Sequence, residues 1–215
     1  MKAMLLDKIV DLSKNHKPLK KVEIAQPEIS EKEVLIKIAV CGVCHTELDE
    51  IEGRTPPPEF PVIPGHQVVG FIAETGNEVK GFDKNERVGV GWIYSSCGKC
   101  EYCKQGLENL CLQFRATGRD ENGGYAEYMK ADPDFIYKIP DFYSDAEAAP
   151  LFCAGAIGYR SLNLTGLING RNLGLTGFGE SYDGLAHMEF ADAVPKFPFA
   201  RHGLDMPIPL QRKGR

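Results

Sequence analysis

The chain has 215 residues, 43% hydrophobic and 26% charged, which is the composition of a globular protein with one large domain or slightly more. Its formal net charge of −5 gives no reason to expect a nucleic acid or an anionic membrane as a partner. The apolar runs are too short to span a membrane, and the N-terminus lacks the apolar core of a signal peptide. We therefore expect a cytoplasmic protein, whose clustered cysteines are metal ligands more often than disulfides.

The first part of the chain predicts short β-strands. Met1–Asp7 is interpreted as the first strand, and Val34–Val40 alternates apolar and other residues in the manner of a half-buried strand. Val68–Ala73, Arg87–Trp92 and Tyr125–Lys130 are further candidates. Because glycine-containing turns separate these short strands, the pattern favours an irregular barrel over a sandwich with long strands.

The character of the sequence changes near Ser144. The segment Ser144–Glu147 has the spacing of a capping box, and the alanine-rich segment Glu147–Tyr159 predicts a helix that is interrupted at Pro150. Asn172–Gly179 resembles a strand running into a glycine-rich turn, and prolines then leave no uninterrupted helix of ordinary length. We expect two parts, residues 1–155 and residues 156–215.

Four of the seven cysteines form a compact cluster with spacings of two, two and seven residues: Cys97, Cys100, Cys103 and Cys111. One loop with this spacing can surround a single metal ion with four sulfurs. No histidine or carboxylate offers an exchangeable position, so we interpret the cluster as a closed, structural zinc site. The spacing alone does not exclude an iron–sulfur cluster.

A second metal site is indicated by Cys44, His66 and Cys153, which would leave one coordination position open. Each residue also has an ordinary interpretation, because an isolated cysteine among alanines is commonly a small core residue. Spacing in the sequence does not show that the three side chains meet.

Four motifs in the same order resemble the zinc-dependent medium-chain alcohol dehydrogenases. They are Cys41-Gly-Val-Cys-His-Thr-Glu-Leu-Asp49, Pro64-Gly-His-Gln-Val-Val-Gly70, the four-cysteine loop, and Leu173-Gly-Leu-Thr-Gly-Phe-Gly179. The resemblance runs from the N-terminus to about residue 180. It implies a mainly β fold with some α: a GroES-like irregular β-barrel as catalytic domain, followed by a linker helix and an incomplete Rossmann segment.

The resemblance also implies roles for individual residues. Cys44, His66 and Cys153 would bind a catalytic zinc, the second of two zinc ions per chain, and Thr46 would begin a proton relay from the alcohol. His45 would meet the pyrophosphate of NAD or NADP, and Trp92 would line the substrate pocket. The reaction implied is hydride transfer between a small alcohol or carbonyl compound and the nicotinamide, in a protein that can form homo-oligomers.

Three positions depart from the family pattern near the open site. Gln67 replaces a frequent glutamate after the histidine ligand, and Glu47 stands where an aspartate is usual. Because the partners of a histidine ligand tune the metal, both changes bear on activity. Asp49 takes the place of a relay histidine in some relatives, and is either a proton carrier or a solvated surface carboxylate.

The dinucleotide fingerprint is incomplete. Gly177 and Gly179 fit the tight turn and the approach to the pyrophosphate, but Tyr182 stands where a small residue is needed. Arg201 lies where it would meet a 2′-phosphate, which favours NADP. Residues 171–215 have room for about two strands, whereas the full fold needs about six. We therefore expect a truncated family member with impaired dehydrogenase activity.

Two other functions are compatible with the sequence. The first is a non-catalytic zinc-binding module that acts through a protein partner. The second, the zinc-free quinone-reductase branch of the same superfamily, is disfavoured by the presence of Cys44, His66 and Cys153 together.

Overall fold

The structure, a computed structural model, describes residues 1–166. The strands of this part are β1 Lys2–Leu5, β2 Lys20–Glu23, β3 Val34–Gly42, β4 Gln67–Thr75, β5 Arg87–Val90, β6 Ile93–Ser95, β7 Arg115–Ala116, β8 Tyr128–Ala131 and β9 Ile136–Lys138. Its helices are α1 His45–Glu52, α2 Glu101–Lys104, α3 Asp145–Ala148 and α4 Ala154–Leu164, with 3₁₀ turns at Glu108–Leu110, Pro133–Phe135 and Ala149–Phe152.

The strands form one larger sheet and two small ones, as expected of a mainly β domain with some helices. The larger sheet has five antiparallel strands in the order β8-β3-β4-β5-β9. Strands β1 and β2 form one two-stranded sheet, and β6 and β7 form the other. The residues Met1–Ala156 make one compact unit.

The alternating pattern of β3 explains the main core. Val34 and Ile36 on one face of the strand are fully buried, and they pack with Val68, Ile72 and the neighbouring apolar residues of β5 and β8. Burial of side chains of this size contributes about 1.5–3 kcal/mol each. The strand that the sequence predicts from its alternation is therefore an inner strand of the sheet, between β8 and β4.

The five predicted strands are all observed, but with different ends, and three of them are shorter than predicted, including the first, Lys2–Leu5. The segment predicted as Tyr125–Lys130 pairs with β3 as a regular strand only from Tyr128, since the Tyr125 N–H donates to the Pro64 carbonyl and Ala126 forms a bridge with Ala3 of β1. The segment predicted as Arg87–Trp92 ends at Val90.

The predicted capping box at Ser144 is present. The Glu147 N–H donates to Ser144 Oγ over 3.3 Å, and the Ser144 N–H donates to Glu147 Oε2 over 2.9 Å. As the proline predicts, the α-helix that follows is short and gives way to the 3₁₀ turn Ala149–Phe152 before α4 begins. A Cβ atom on Gly89 of β5 would lie 1.9 Å from the Phe152 ring, so only glycine allows this turn to pack against the sheet.

Among the residues that the structure describes, no helix is long and apolar enough to cross a membrane. The predicted strand at Asn172–Gly179 lies outside the described residues.

Candidate metal centres

The sheet brings Cys44 and His66 to the same edge. Strands β3 and β4 pair antiparallel, and their last register pair is Gly42 with Gln67. Cys44 follows β3 by two residues and His66 directly precedes β4, so both side chains leave the sheet at one end. Cys153 comes to this end from the 3₁₀ turn, whose Phe152 packs with Val69 of β4.

The three side chains proposed for the open site converge. Cys44 Sγ lies 3.7 Å from Cys153 Sγ, and one ligand atom from each of Cys44, His66 and Cys153 lies within 4.8 Å of the others. A disulfide needs about 2.05 Å between its sulfurs, whereas two thiolates on one tetrahedral zinc, at about 2.3 Å each, are about 3.8 Å apart. The sulfur spacing therefore fits a shared metal ion and does not fit a disulfide.

The orientation of His66 leaves one ring nitrogen for a metal. His66 is fully buried, and its Nδ1 lies 2.7 Å from Glu47 Oε1. Its Nε2 is buried and has no hydrogen-bond partner among the described residues. A histidine ligand commonly holds a carboxylate with its other nitrogen, which fixes the ring and raises its basicity. Glu47, one methylene longer than the usual aspartate, reaches the ring.

Glu47 also holds the start of α1. Its Oε2 accepts a hydrogen bond of 2.6 Å from the backbone N–H of Cys44, the N-cap residue of the helix. One carboxylate thus links a thiol of the open site to its histidine.

The ligand side chains of the open site have strongly shifted pKa values. Contact with the Cys153 thiol lowers the pKa of Cys44, whereas the same contact and burial raise the pKa of Cys153. Burial alone would lower the pKa of His66, but contacts with Cys44 and Glu47 outweigh it and raise that pKa to about 9. A negative sulfur beside a positive imidazole is an arrangement that a divalent cation replaces with release of protons.

The neighbouring residues are placed as follows. Thr46 Oγ1 lies 3.5 Å from Cys44 Sγ, and the Trp92 ring meets the His66 ring edge to face at 5.0 Å. His45 is exposed on the first turn of α1. Asp49 forms an ion pair with Arg54, which supports its interpretation as a surface carboxylate. Gln67 is buried, and the three predicted cofactor residues Gly177, Gly179 and Arg201 lie outside the described residues.

The four-cysteine loop folds into a second cluster between β6 and β7. Ligand atoms of Cys97, Cys100, Cys103 and Cys111 all lie within 4.8 Å of one another. Cys103 Sγ is 3.9 Å from Cys97 Sγ and 3.5 Å from Cys100 Sγ, again the spacing of thiolates that share a tetrahedral metal.

Backbone groups stabilise negative charge in this loop. The Cys100 N–H donates to Cys97 Sγ over 3.3 Å, and the Gln113 N–H donates to Cys111 Sγ over 3.3 Å. Backbone donors at Lys99 and Cys100 lower the pKa of Cys97 to about 6. Gly98 and Gly106 have positive φ angles of 67° and 72°, which only glycine adopts at little cost. Four sulfurs fill a tetrahedron, so this site is closed.

Sequence reasoning missed one residue behind the open site, the buried Glu50. Glu47, Glu50 and Ile51 form the buried face of α1. Their spacing of three and four residues is that of one helix face, and Ile51 packs into a core with Leu6 and Val62. A helical interpretation of the segment His45–Glu52, with Ile51 inside, would have placed Glu50 inside as well.

Comparison with known proteins agrees with this geometry. The family described as "Alcohol dehydrogenase GroES-like domain" matches residues 30–141. An alcohol dehydrogenase of Geobacillus stearothermophilus is 46% identical over 83% of this chain and 52% of its own length. A probable alcohol dehydrogenase of Mycobacterium tuberculosis is 47% identical over 76% of this chain and 49% of its own. The chain thus spans about half the length of the curated relatives it matches.

Solved structures show the same architecture. The CAD from Helicobacter pylori, complexed with NADP(H), matches with a TM-score of 0.75 and 26% identity over 85% of this chain and 53% of that one. A cinnamyl alcohol dehydrogenase of Sorghum bicolor matches with a TM-score of 0.66 and 30% identity over 76% of this chain and 48% of that one.

Proposed function

The chain belongs to the alcohol dehydrogenase family with a GroES-like domain, and on that premise we propose that it carries the catalytic metal site of a zinc-dependent oxidoreductase. The reaction is the interconversion of a small alcohol and an aldehyde or ketone, with NAD or NADP as hydride carrier. The relatives printed as alcohol dehydrogenases support this reaction class.

One observation carries the proposal: Cys44, His66 and Cys153 come from three separate segments and present their ligand atoms within 4.8 Å of one another. Two sulfurs and one imidazole are a donor set that suits zinc, and three protein ligands are typical of a catalytic site. The four-cysteine loop is a comparison within the same chain, because its fourth sulfur leaves no coordination position open for a substrate.

The residues around the open site have different roles in the proposed reaction. Zinc bound there would act as a Lewis acid that favours loss of the hydroxyl proton from an alcohol. Thr46, whose Oγ1 is 3.5 Å from Cys44 Sγ, would accept that proton and pass it on. Trp92, against the His66 ring, forms an apolar wall that orients the substrate and excludes water. Glu47 keeps His66 in the orientation that leaves Nε2 for the metal.

Cofactor binding is proposed from the family alone. His45 is exposed at the start of α1, where it would meet a pyrophosphate, and Gly177, Gly179 and Arg201 would complete the contacts. Of these, Arg201 favours NADP.

The experiment is to load the full 215-residue chain with Co²⁺ as a spectroscopic probe for zinc. Cobalt bound by thiolates absorbs visible light, and the cysteine variants separate the contributions of the two sites. We expect about two metal ions per chain, one for each cluster. Cys44→Ser and Cys153→Ser should each remove the open-site signal and leave that of the four-cysteine loop.

Cys97→Ser is the matched control, because it changes one thiol of the closed site and leaves the open site intact. A chain that binds metal at the closed site alone would contradict the proposal. A Cys41→Ser variant, which alters a half-buried thiol outside both ligand sets, should keep both signals.

A further inference from the structure

Arg87, the first residue of β5, donates three hydrogen bonds to one segment, residues 140–145. Its Nε donates to Asp145 Oδ1 over 2.8 Å, its Nη2 to the Tyr143 carbonyl over 2.8 Å and its Nη1 to the Pro140 carbonyl over 3.4 Å. Because the Arg87 side chain is only 17% exposed, water screens these contacts less than it screens a surface ion pair. The planar guanidinium serves all three acceptors at once, so Arg87 fastens the segment to the sheet.

This segment leads directly into the element that carries Cys153. Asp145 is the first residue of α3, the 3₁₀ turn Ala149–Phe152 follows that helix without a loop, and Cys153 follows the turn. The capping box of Ser144 fixes the direction in which the helix leaves the segment. The place at which residues 140–145 rest on β5 therefore bears on the position of the Cys153 thiol.

The same face of β5 holds the far end of this element. Side chains two residues apart in a strand point to one side of the sheet, so Arg87 and Gly89 share a face. On that face the Phe152 ring lies 1.9 Å from the position that a Cβ atom of Gly89 would take. Arg87 thus holds the segment before α3 by polar contacts, and Gly89 admits the ring after it by apolar packing. The unit that carries Cys153 has one anchor at each end.

Cys153 depends on these anchors more than the other two proposed ligands do. Cys44 and His66 adjoin the paired ends of β3 and β4, and both contact the Glu47 carboxylate. Cys153 reaches them from a separate segment, and its sulfur is 3.7 Å from Cys44 Sγ. A ligand on a loosely held segment would have to be ordered when the metal binds, and that ordering would lower the affinity.

We propose that Arg87 is a positioning residue of the open site. By holding residues 140–145 on β5, it keeps the Cys153 thiol at the spacing at which it shares a metal ion with Cys44 and His66. The inference rests on the proposed metal site and adds to it a residue that acts through a neighbouring segment.

The test measures Co²⁺ affinity at the open site in the full chain, with the closed site filled with Zn²⁺. Arg87→Gln removes the charge and shortens the side chain, so it should weaken Co²⁺ binding about tenfold, the contribution of about one charge-assisted hydrogen bond. Arg87→Lys keeps the charge but lacks the planar fork, so its affinity should fall between those of Arg87→Gln and the wild type. Asp145→Ala removes one of the three acceptors at a partly exposed position and should weaken binding about threefold.

Lys138→Gln is the matched control. Lys138 lies on β9, which pairs with β5, and its ion-pair partner is Glu86, the residue before Arg87. The variant removes a cation beside the same end of β5 and should leave Co²⁺ affinity at the open site unchanged. Each variant is also made together with Cys44→Ser, so that only the closed site binds Co²⁺, and there each should keep the wild-type affinity.

Arg87→Gln with wild-type affinity at the open site would overturn the inference. Equal losses at the open and closed sites would overturn it too, since they indicate general destabilisation. An Arg87→Lys affinity no higher than that of Arg87→Gln would also contradict it, because the retained charge should retain part of the contacts. If Arg87→Gln does not fold, Asp145→Ala decides: a loss confined to the open site supports the inference, and unchanged affinity contradicts it. A wild-type chain without an open-site cobalt signal is a different outcome, in which the proposed function itself fails and the inference with it.

Discussion

Glu47 concentrates two tasks in one side chain. One oxygen orients the imidazole of His66, and the other accepts from the backbone of Cys44. Both neighbours are proposed metal ligands, so the carboxylate fixes their relative position before any metal arrives. Such preorganisation reduces the entropy that binding would otherwise cost.

Replacement of Glu47 by alanine should therefore weaken the open site selectively. We expect about a 10- to 100-fold loss of Co²⁺ affinity there, the range usual for partners of histidine ligands. Equilibrium titration against a competing chelator measures it, and the closed site in the same chain serves as reference. Glu47→Asp, the usual residue of the family, should retain more affinity than alanine if the shorter side chain still reaches His66. Equal losses at both sites would point to general unfolding instead.

For individual residues, the sequence predicts the metal ligands better than it predicts the buried side chains behind them. The cysteine spacing of the closed loop is local, so Cys97–Cys111 could be identified without a fold. Glu50 was missed because an acidic residue is ordinarily expected on the exposed face of a helix, although its position beside Ile51 places it on the buried face of α1. Its burial depends on how α1 packs, which is a tertiary property.

At the level of elements, Glu33 ties three strands together. It precedes β3, forms an ion pair of 3.0 Å with Lys130 of β8, and accepts a hydrogen bond of 3.0 Å from Tyr94 of β6. Burial alone would raise the pKa of Glu33, but bonds with Ser30, Lys130 and Tyr94 outweigh it and hold that pKa at about 2.

This depressed pKa predicts how stability depends on acidity. Since the folded pKa lies below the ordinary value of 4.5, the contribution of Glu33 is fully present above pH 4.5 and is lost as the pH falls toward 2. Glu33→Gln should lower the free energy of unfolding by about 1–3 kcal/mol at neutral pH. It should also reduce the loss of stability between pH 4.5 and pH 2, which we call the acid limb of the curve of stability against pH. Urea unfolding at a series of pH values measures both effects.

Glu31→Gln is the control for that series, because Glu31 is an exposed carboxyl two residues earlier in the chain. It should leave the acid limb as in the wild type. A Glu33→Gln curve parallel to the wild type at every pH would show that Glu33 does not contribute in its ionised form.

The sequence predicts a strand well where one face of the strand is buried. It predicts the end of a strand less well where a loop takes a hydrogen bond from the strand backbone. Val34–Val40 alternates clearly, and the observed β3 spans it. Tyr125 is apolar enough to continue a strand, but its N–H is taken by the Pro64 carbonyl from a distant loop. The start of β8 therefore depends on a contact that no local pattern reveals.

At the scale of the whole molecule, the fold brings the sulfurs of Cys44 and Cys153 to 3.7 Å from each other, although the two residues are 109 positions apart in the chain. Family resemblance predicted this meeting, whereas spacing did not. The physical cause is visible only in three dimensions: Gly89 admits the Phe152 ring, and this packing holds the turn before Cys153 against the sheet. The open metal site thus depends on packing within residues 1–156. Metal binding by this part can therefore be measured separately from turnover.

The last prediction concerns turnover by the 215-residue chain. Residues matched to curated relatives cover about half of those relatives, 52% for the enzyme from Geobacillus stearothermophilus. Rapid hydride transfer requires the nicotinamide to be held close to the alcohol carbon, and a loosely held cofactor forfeits much of the advantage of proximity. We expect weak or undetectable oxidation of a small primary alcohol with NADP⁺ or NAD⁺, even with both metal sites filled. Steady-state absorbance of the reduced nicotinamide measures it, and metal content is determined on the same sample. Robust turnover that disappears in Cys44→Ser would contradict the expectation of impairment while supporting the reaction class, whereas no turnover with full metal content would agree with it.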